Sequence, residues 1–168
     1  PVDTATAAFV GRALRGPVNV PIVINSWADF ESIFGGLWLD NMLGYAVRSF
    51  FQNGGSKGVI VRLNNDVPEG GDAATVATEA TGKLGAFTLT AADPGAWGNQ
   101  LAVRVDDLDA KLAPVMAARY NVDAADLFNF SVRDLGTGQT EYYPNVTVTD
   151  GPRRLDKVLE GQSGLIRA

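Results

Sequence analysis

The first 63 residues change twice in the spacing of their apolar positions, which predicts strands separated by helices. Short apolar runs rich in β-branched residues predict strands at Ala7–Val10, Val20–Ile24 and Val59–Leu63. Between the second and third runs, apolar residues recur at helical spacing, so we predict one helix after Ser26 and another that starts near Asp40. Strands joined through helices, with the usual right-handed connection, predict a small α/β unit.

Polar residues and glycines mark the ends of both predicted helices. Ser26 stands where its hydroxyl can cap the first helix, and Asp29 follows at a distance that lets its carboxylate bind free amides of the first turn. Glycine adopts the left-handed conformation without a Cβ clash, so a glycine pair is expected to end each helix. These pairs are Gly35 and Gly36 after the first helix, and Gly54 and Gly55 after the second.

The composition changes at residues 64–72, where Pro68, Gly70 and Gly71 stand among acidic residues. We predict a linker there, between an α/β part of residues 1–63 and a β-rich domain of residues 73–149. The strands predicted within that domain are Ala86–Thr90, Leu101–Val105, Phe128–Val132 and Tyr142–Thr149. The predicted fold class is therefore α+β, a small α/β unit followed by a mainly antiparallel β sandwich or barrel-like region.

Helical segments interrupt and follow this β-rich domain. A helical insertion is predicted near residues 109–126, and Pro114 inside Asp109–Tyr120 predicts a short or broken helix there. Residues 150–168 are predicted to form a return helix and a strand. The positions that define this last part are Asp150 at the helix start, Pro152 in its first turn, Gly161 at its end and Ser163–Arg167 as the strand.

Composition and charge narrow the classes of function. The chain has 168 residues, 46% hydrophobic, and a net charge of −5, divided into +1 for residues 1–63 and −6 for residues 64–168. An acidic second part without a basic stripe disfavours nucleic acid as a partner. The chain contains neither cysteine nor histidine, which excludes thiolate and imidazole metal sites, cysteine nucleophiles and Ser-His-Asp hydrolysis. No apolar run approaches the roughly 20 residues that cross a bilayer, so membrane insertion is not expected.

Two glycine-rich segments resemble phosphate-binding loops but fail on spacing. Such a loop needs a lysine followed by Ser or Thr at the start of a helix. In Asn53–Gly58, Lys57 precedes a glycine and a predicted strand, which favours a turn that caps the second helix. In Thr81–Gly85, Leu84 follows the lysine and cannot supply a hydroxyl to a metal ion.

The densest carboxylate cluster, Asp106, Asp107 and Asp109, lacks the glycine of an EF-hand loop and is interpreted as a solvated strand end. No metal, cofactor or catalytic residue is predicted, and the chain is not expected to be an enzyme. A glycosidase that uses two carboxylates in a cleft is the remaining enzymatic alternative.

Three groups of residues resemble the contractile tail sheath proteins of phages and related injection systems. The first group comprises Phe9–Arg12, Gly16–Pro17, Phe30–Gly36 and Gly44–Gly55. The second lies within Leu89–Val105 and includes Pro94, Gly95, Trp97, Gly98 and Asn99. The third comprises Tyr143–Pro144, Pro152–Arg153, Val158–Leu159 and Ser163–Ile166. The same resemblance favours a strand for Thr75–Thr81, whose composition also suits a helix.

This resemblance implies a structural subunit of a contractile tail sheath. Such subunits stack in hexameric rings around an inner tail tube protein and contract to drive that tube through a cell envelope. The implied partners are other sheath subunits and the tube protein, and the implied location is the virion tail, assembled in the host bacterial cytoplasm. Sheath proteins are usually far longer, so the chain is interpreted as a fragment covering the N-terminal part of a subunit.

One alternative from another class is a virion-surface β module that binds carbohydrate or a receptor. Exposed aromatics such as Tyr142 and Tyr143, clustered with Asp or Asn, would favour it. The tryptophans Trp27, Trp38 and Trp97 are interpreted as core anchors, because large aromatic side chains dominate burial.

Overall fold

The computed structural model describes residues 6–64, 78–85 and 87–168. The predicted α+β class is confirmed, with four α-helices and three small, mostly antiparallel sheets in this part of the chain. The chain forms two compact units, Pro1–Glu79 with Asp93–Ala96, and Ala80–Ala92 with Trp97–Ala168. The predicted linker of residues 64–72 lies, from residue 65 onward, outside the described residues, as do residues 75–77. The strand predicted for Thr75–Thr81 was wrong for residues 78–80, which form no regular element, and only Thr81 lies in a strand.

The first unit is a three-stranded sheet with two helices. Its elements are β1 (Thr6–Gly11), β2 (Pro21–Ile24), α1 (Trp27–Phe34), α2 (Leu43–Gln52) and β3 (Lys57–Arg62). The strand order is β1-β3-β2, with β1 parallel and β2 antiparallel to the central β3. The parallel pair follows from the helical connection, since parallel strands require a long crossover.

The core of the first unit lies between one face of this sheet and the two helices. Ile24 and Ile60 point from the sheet into a cluster with Phe30, Phe34 and Val47, and all five side chains are fully buried. The rings of Phe30 and Phe34 stack with centroids 5.2 Å apart, as expected for residues four positions apart on one helix face. We call this the inner face of the sheet and the opposite one the outer face.

Two predicted boundaries in the first unit were wrong. The second helix begins at Leu43 rather than near Asp40, because Trp38 and Asn41 form a bridge and Asn41 Oδ1 accepts a hydrogen bond from Leu43 N at 3.0 Å. The third strand begins at Lys57, two residues earlier than predicted. The turn between α2 and this strand is therefore shorter than the sequence pattern indicated.

The second unit contains two antiparallel three-stranded sheets. One has the order β4-β5-β9 and the other the order β6-β7-β8, and neither closes into a barrel in the part of the chain that the structure covers. Its strands are β4 (Thr81–Leu84), β5 (Phe87–Ala91), β6 (Leu101–Asp107), β7 (Leu127–Asp134), β8 (Thr140–Thr147) and β9 (Ile166–Arg167). Its helices are α3 (Ala113–Tyr120) and α4 (Leu155–Gln162), with short 3-10 turns at Ala96–Gln100 and Ala124–Asp126.

A single apolar cluster holds this unit together. Phe130 and Val132 of β7 are fully buried, as are Val146 of β8 and Leu155 and Leu159 of α4. The predicted pairing of the Phe128–Val132 strand with the strand after Gly136–Gly138 is confirmed, and a bulge lies between Phe128 and Phe130.

The helical parts of the second unit differ in detail from the prediction. Of the predicted short or broken helix, the short one forms: α3 has eight residues and is unbroken, because it begins at Ala113 and so places Pro114 in its first turn, where no backbone N–H is needed. The return helix begins at Leu155 rather than Asp150, so Pro152 precedes it and Gly161 lies within it. The final strand is shorter than predicted, because Ser163 and Gly164 form a turn before it.

None of the helices described here is long and apolar enough to cross a membrane.

Candidate functional site

Ser26 and the glycines cap the first helix as the sequence indicated, whereas the Asp29 carboxylate binds an amide that precedes the helix rather than one of its first turn. Ser26 Oγ accepts a hydrogen bond from Asp29 N at 3.1 Å, and Asp29 Oδ2 accepts one from Asn25 N at 2.8 Å. Hydrogen bonds to the carboxylate, first from the Asn25 amide and next from the Ser26 side chain, lower the pKa of Asp29 below its usual value of 3.8. At the other end, Gly35 has φ of +86° and its N–H donates to Glu31 O at 3.1 Å, while Gly36 has φ of +82°.

The glycines after α2 cap that helix rather than bind an anion. Asn53 Nδ2 donates to Ser49 O at 2.7 Å, and Gly55 N donates to Phe50 O at 2.9 Å. Gly54 takes the left-handed φ of +90°. A Cβ on Gly55 would collide with the ring of Phe50, so a larger residue there would displace that ring. The interpretation of Asn53–Gly58 as a helix-ending turn is therefore confirmed.

A buried arginine that the sequence reasoning missed lies at the end of β3. Arg62 is 3% exposed, and its guanidinium donates to three backbone carbonyls, Ala13 O at 3.1 Å, Gly16 O at 2.7 Å and Pro94 O at 2.8 Å. Burial lowers the pKa of Arg62, and the nearby Asp93 carboxylate raises it in part. One side chain thus fixes the turn after β1 and holds Pro94 within the first unit.

The segment around Pro94 has a second attachment in the first unit. Gly95 N donates to Thr78 O at 2.9 Å, and Gly95 has φ of +135°, a value that residues with a Cβ rarely adopt. Pro94 and Gly95, selected from the sequence for their resemblance to a family pattern, therefore lie where Arg62 anchors the chain. The sequence signal for a buried Arg62 was a charged residue at the end of an apolar run. The same pattern is also typical of a strand end that faces solvent.

Arg15 is a second buried cation of the first unit. It is 4% exposed and donates through Nη2 to Ser32 O at 2.8 Å, at the last turn of α1. Carbonyls at a helix C-terminus carry partial negative charge, so a guanidinium is favourable there. Arg15 and Arg62 together satisfy backbone carbonyls of the loop that joins β1 to β2 and of α1.

The other predicted residues of this segment belong to the second unit. Trp97 is 8% exposed and belongs to the apolar cluster, so its interpretation as a core anchor is confirmed. Gly98 is buried, and a Cβ there would lie 2.9 Å from the Cβ atoms of both Ala80 and Ala91. Asn99 is exposed. The absence of a side chain at Gly98 therefore lets the backbone beside Trp97 approach Ala80 and Ala91 closely.

The remaining tryptophans lie in less buried positions. Trp27 is half-buried, packs against the core of the first unit and stacks on Phe30 with ring centroids 5.2 Å apart. Trp38 is also half-buried, but it lies outside that core and holds the Arg12 guanidinium 5.4 Å from its ring centre. For Trp38 the prediction of a core anchor was wrong.

A carboxylate network organises the end of the second unit. Glu141 Oε2 accepts hydrogen bonds from Tyr143 Oη at 2.7 Å and from Ser163 Oγ at 2.6 Å, while Oε1 accepts one from Gly164 N at 2.9 Å. Burial raises the pKa of Tyr143 to about 12. Ser163 Oγ in turn accepts bonds from the amides of Leu165 and Ile166. The network joins β8 to the turn between α4 and β9.

The two adjacent tyrosines point to opposite faces of their sheet. Tyr143 is 5% exposed and stacks against Phe130, whereas Tyr142 is 58% exposed and pairs with Ser131 on the other face. Successive side chains of a strand alternate between faces, so the two rings cannot form one binding platform. The aromatic cluster expected of a carbohydrate-binding module does not form from this pair.

The predicted carboxylate cluster does not converge either. Asp106 pairs with Arg104 on the same strand, and Asp109 Oδ1 accepts a hydrogen bond from Lys111 N. Over the residues described, no three Asp or Glu side chains come together as a metal site would require. Asp107 ends β6 and is exposed, as is Asp109, which agrees with the interpretation of a solvated strand end.

One open cleft of about 350 Å³ lies beside α3. Its lining combines apolar and polar residues: Ala117, Ala118, Asn121, Val122, Asp123, Asp126 and Thr149. Thr149 Oγ1 donates to Asp126 Oδ2 at 3.1 Å, so that carboxylate already has a partner. The cleft offers a surface for a polar group.

Comparisons with known proteins give a fold likeness. No protein-family model and no curated protein matches the chain. Among solved structures, it is similar to the sheath tail protein from Listeria innocua, with a TM-score of 0.54 and 19% identity, over 82% of this chain and 26% of that one. It is also similar to the sheath tail protein from Desulfitobacterium hafniense, with a TM-score of 0.51 and 17% identity, over 82% of this chain and 27% of that one.

The chain therefore has a fold that is found in sheath tail proteins, and it spans about a quarter of the length of each.

Proposed function

We propose that this chain is a structural part of a contractile tail sheath. The observation that carries the proposal is the fold likeness to two sheath tail proteins across four-fifths of the chain. The positions of Pro94, Gly95, Trp97 and Gly98 support it, because the residues of the family pattern are also those that anchor the chain or permit its closest backbone approach. The proposed role is architectural rather than catalytic.

In this proposal, copies of the subunit stack in hexameric rings around an inner tail tube protein. The rings shorten together and drive the tube through a cell envelope, and the sheath forms part of a virion tail that is assembled in the bacterial cytoplasm. Contacts that repeat head to tail build helical assemblies when the rotation does not close. Packed interfaces with two discrete arrangements can release the required free energy without a chemical step.

Electron microscopy tests this proposal. The natural protein that contains these residues, expressed in bacteria and negatively stained, is expected to form long striated tubes of constant diameter. Co-expression with an inner tail tube protein is expected to give filled tubes. A preparation that stays dispersed with and without that tube protein, across salt and magnesium concentrations, contradicts the proposal.

A further inference from the structure

The outer face of the first unit's sheet is apolar across all three strands. Six apolar side chains form two rows in the register of the sheet, with Val10, Val61 and Pro21 in one row and Ala8, Val59 and Val23 in the next. Val10 is 64% exposed and Val23 is 52% exposed, so the described residues leave this face open. The helices α1 and α2 both pack on the inner face.

The connectivity of the sheet makes an open apolar face unusual. The strands β1 and β3 are parallel and are joined through helices. Sheets built only of parallel strands are normally covered on both faces, and such strands are continuous apolar runs rather than alternating ones. Ala7–Val10 and Val59–Val61 are such runs. The sequence of these strands therefore indicates two covering layers, and the described residues supply one.

The size of the face indicates what kind of element covers it. Three strands spaced about 4.8 Å apart present a width of roughly 10 Å, which is about the diameter of an α-helix. Lys57, paired with Thr6, follows the two apolar rows at one end of the face. The structures with this fold are about four times as long as the matched part, so they contain much polypeptide that has no counterpart here.

We propose that the outer face binds an amphipathic helix from polypeptide outside these 168 residues, with an acidic residue near Lys57. The helix forms the missing third layer of the unit. This inference rests on the fold and its exposed face, and it holds whether or not the protein contracts around a tube.

Cysteine labelling tests the inference: these 168 residues contain no cysteine, and any cysteine elsewhere in the natural protein is first replaced by serine. The variants V23C and V10C report on the outer face. The variants V148C and V115C are matched controls in the second unit, since Val148 is 51% exposed and Val115 is 63% exposed. Each is labelled with a maleimide in the 168-residue chain and in the natural protein that contains it, with circular dichroism as the check of folding.

All four sites are expected to react at similar rates in the 168-residue chain. In the natural protein, the two outer-face sites are expected to react at least about tenfold more slowly while the controls keep their rates, a protection equivalent to about 1.4 kcal/mol. A photo-cross-linker on V23C is expected to attach to residues three or four positions apart, the spacing of one helix face.

Several results overturn the inference. Outer-face sites that react equally fast in both proteins, or protection that extends equally to the controls, count against a covering helix. Protection that is lost on dilution assigns the face to a second copy, and cross-links at alternate residues assign it to a strand. Tubes seen by microscopy together with fast labelling reject this inference alone and leave the proposed function standing.

Discussion

Replacing Arg62 with methionine is the sharpest test of how the first unit is held together. The substitution keeps an unbranched apolar stem and removes the guanidinium that donates to Ala13 O, Gly16 O and Pro94 O. Hydrogen bonds from a charged donor are worth about 1.5–3 kcal/mol each, which gives an upper limit of roughly 4.5–9 kcal/mol for three. The cost of burying the cation, visible in its lowered pKa, offsets part of this sum.

We therefore expect R62M to lower the free energy of unfolding of the first unit by about 3–5 kcal/mol, the range seen when a buried charged interaction loses one partner. Hydrogen exchange followed residue by residue measures this directly, because the two units need not unfold together. The Gly95 amide, which donates to Thr78 O, should exchange much faster in the variant.

The control is R48M, which removes the same charge from an exposed position of α2 and should stay within about 0.5 kcal/mol of the parent. R62K keeps the charge but lacks the planar guanidinium that reaches three carbonyls, so its free energy of unfolding should lie between those of R62M and R48M. If R62M unfolds within 1 kcal/mol of R48M, on the order of ordinary surface effects, the reasoning about the buried arginine is refuted.

Three further predictions concern other parts of the chain. Substituting Gly98 with alanine should destabilise the second unit by about 1–3 kcal/mol in urea unfolding, because its Cβ would crowd two alanines, whereas Gly82→Ala, with open space around it, should not. The pKa of Asp29 is lower in the folded state than the usual 3.8, so its contribution to the free energy of unfolding is complete above pH 3.8 and is lost as the pH falls through the folded pKa. D29N should therefore remove this part of the acid dependence of thermal unfolding. Tyr143, whose pKa is about 12, should stay protonated at pH 11, so Y143F should leave the phenolate absorbance up to that pH unchanged. The contribution of Tyr143 to the free energy of unfolding should be lost as the pH rises from 10 through about 12. An ionisation near pH 10 that disappears in Y143F would contradict the last prediction.

The elements with local signals were predictable from the sequence. The helix α1 has a serine cap, an acidic residue in its first turn and a left-handed glycine at its end. Each of these residues forms hydrogen bonds with residues close to it in the sequence. The start of α2 was misplaced, because Trp38–Asn41 closes a bridge before the helix and Asp40 only resembles a cap. Residue types near a helix terminus thus predicted the end of α1, but they did not predict that a turn precedes α2.

The residues that hold distant parts of the chain together were not predictable in the same way. Arg62 donates to a carbonyl 32 positions later, and Glu141 accepts bonds from a turn more than 20 positions later. A single charged residue beside an apolar run fits an exposed end as well as a buried anchor. Only the fold, which brings the acceptors together, distinguishes the two.

The brief return of the chain to the first unit at Asp93–Ala96 has a consequence for synthesis on the ribosome. Three strands and two helices have been made by residue 62, yet the last acceptor of Arg62 is not translated until residue 94. A nascent polypeptide that stops at residue 79 holds a cation whose third carbonyl does not yet exist. The contacts of the first unit are therefore complete only after residue 94 has been translated, and one cut of the chain cannot separate the two units.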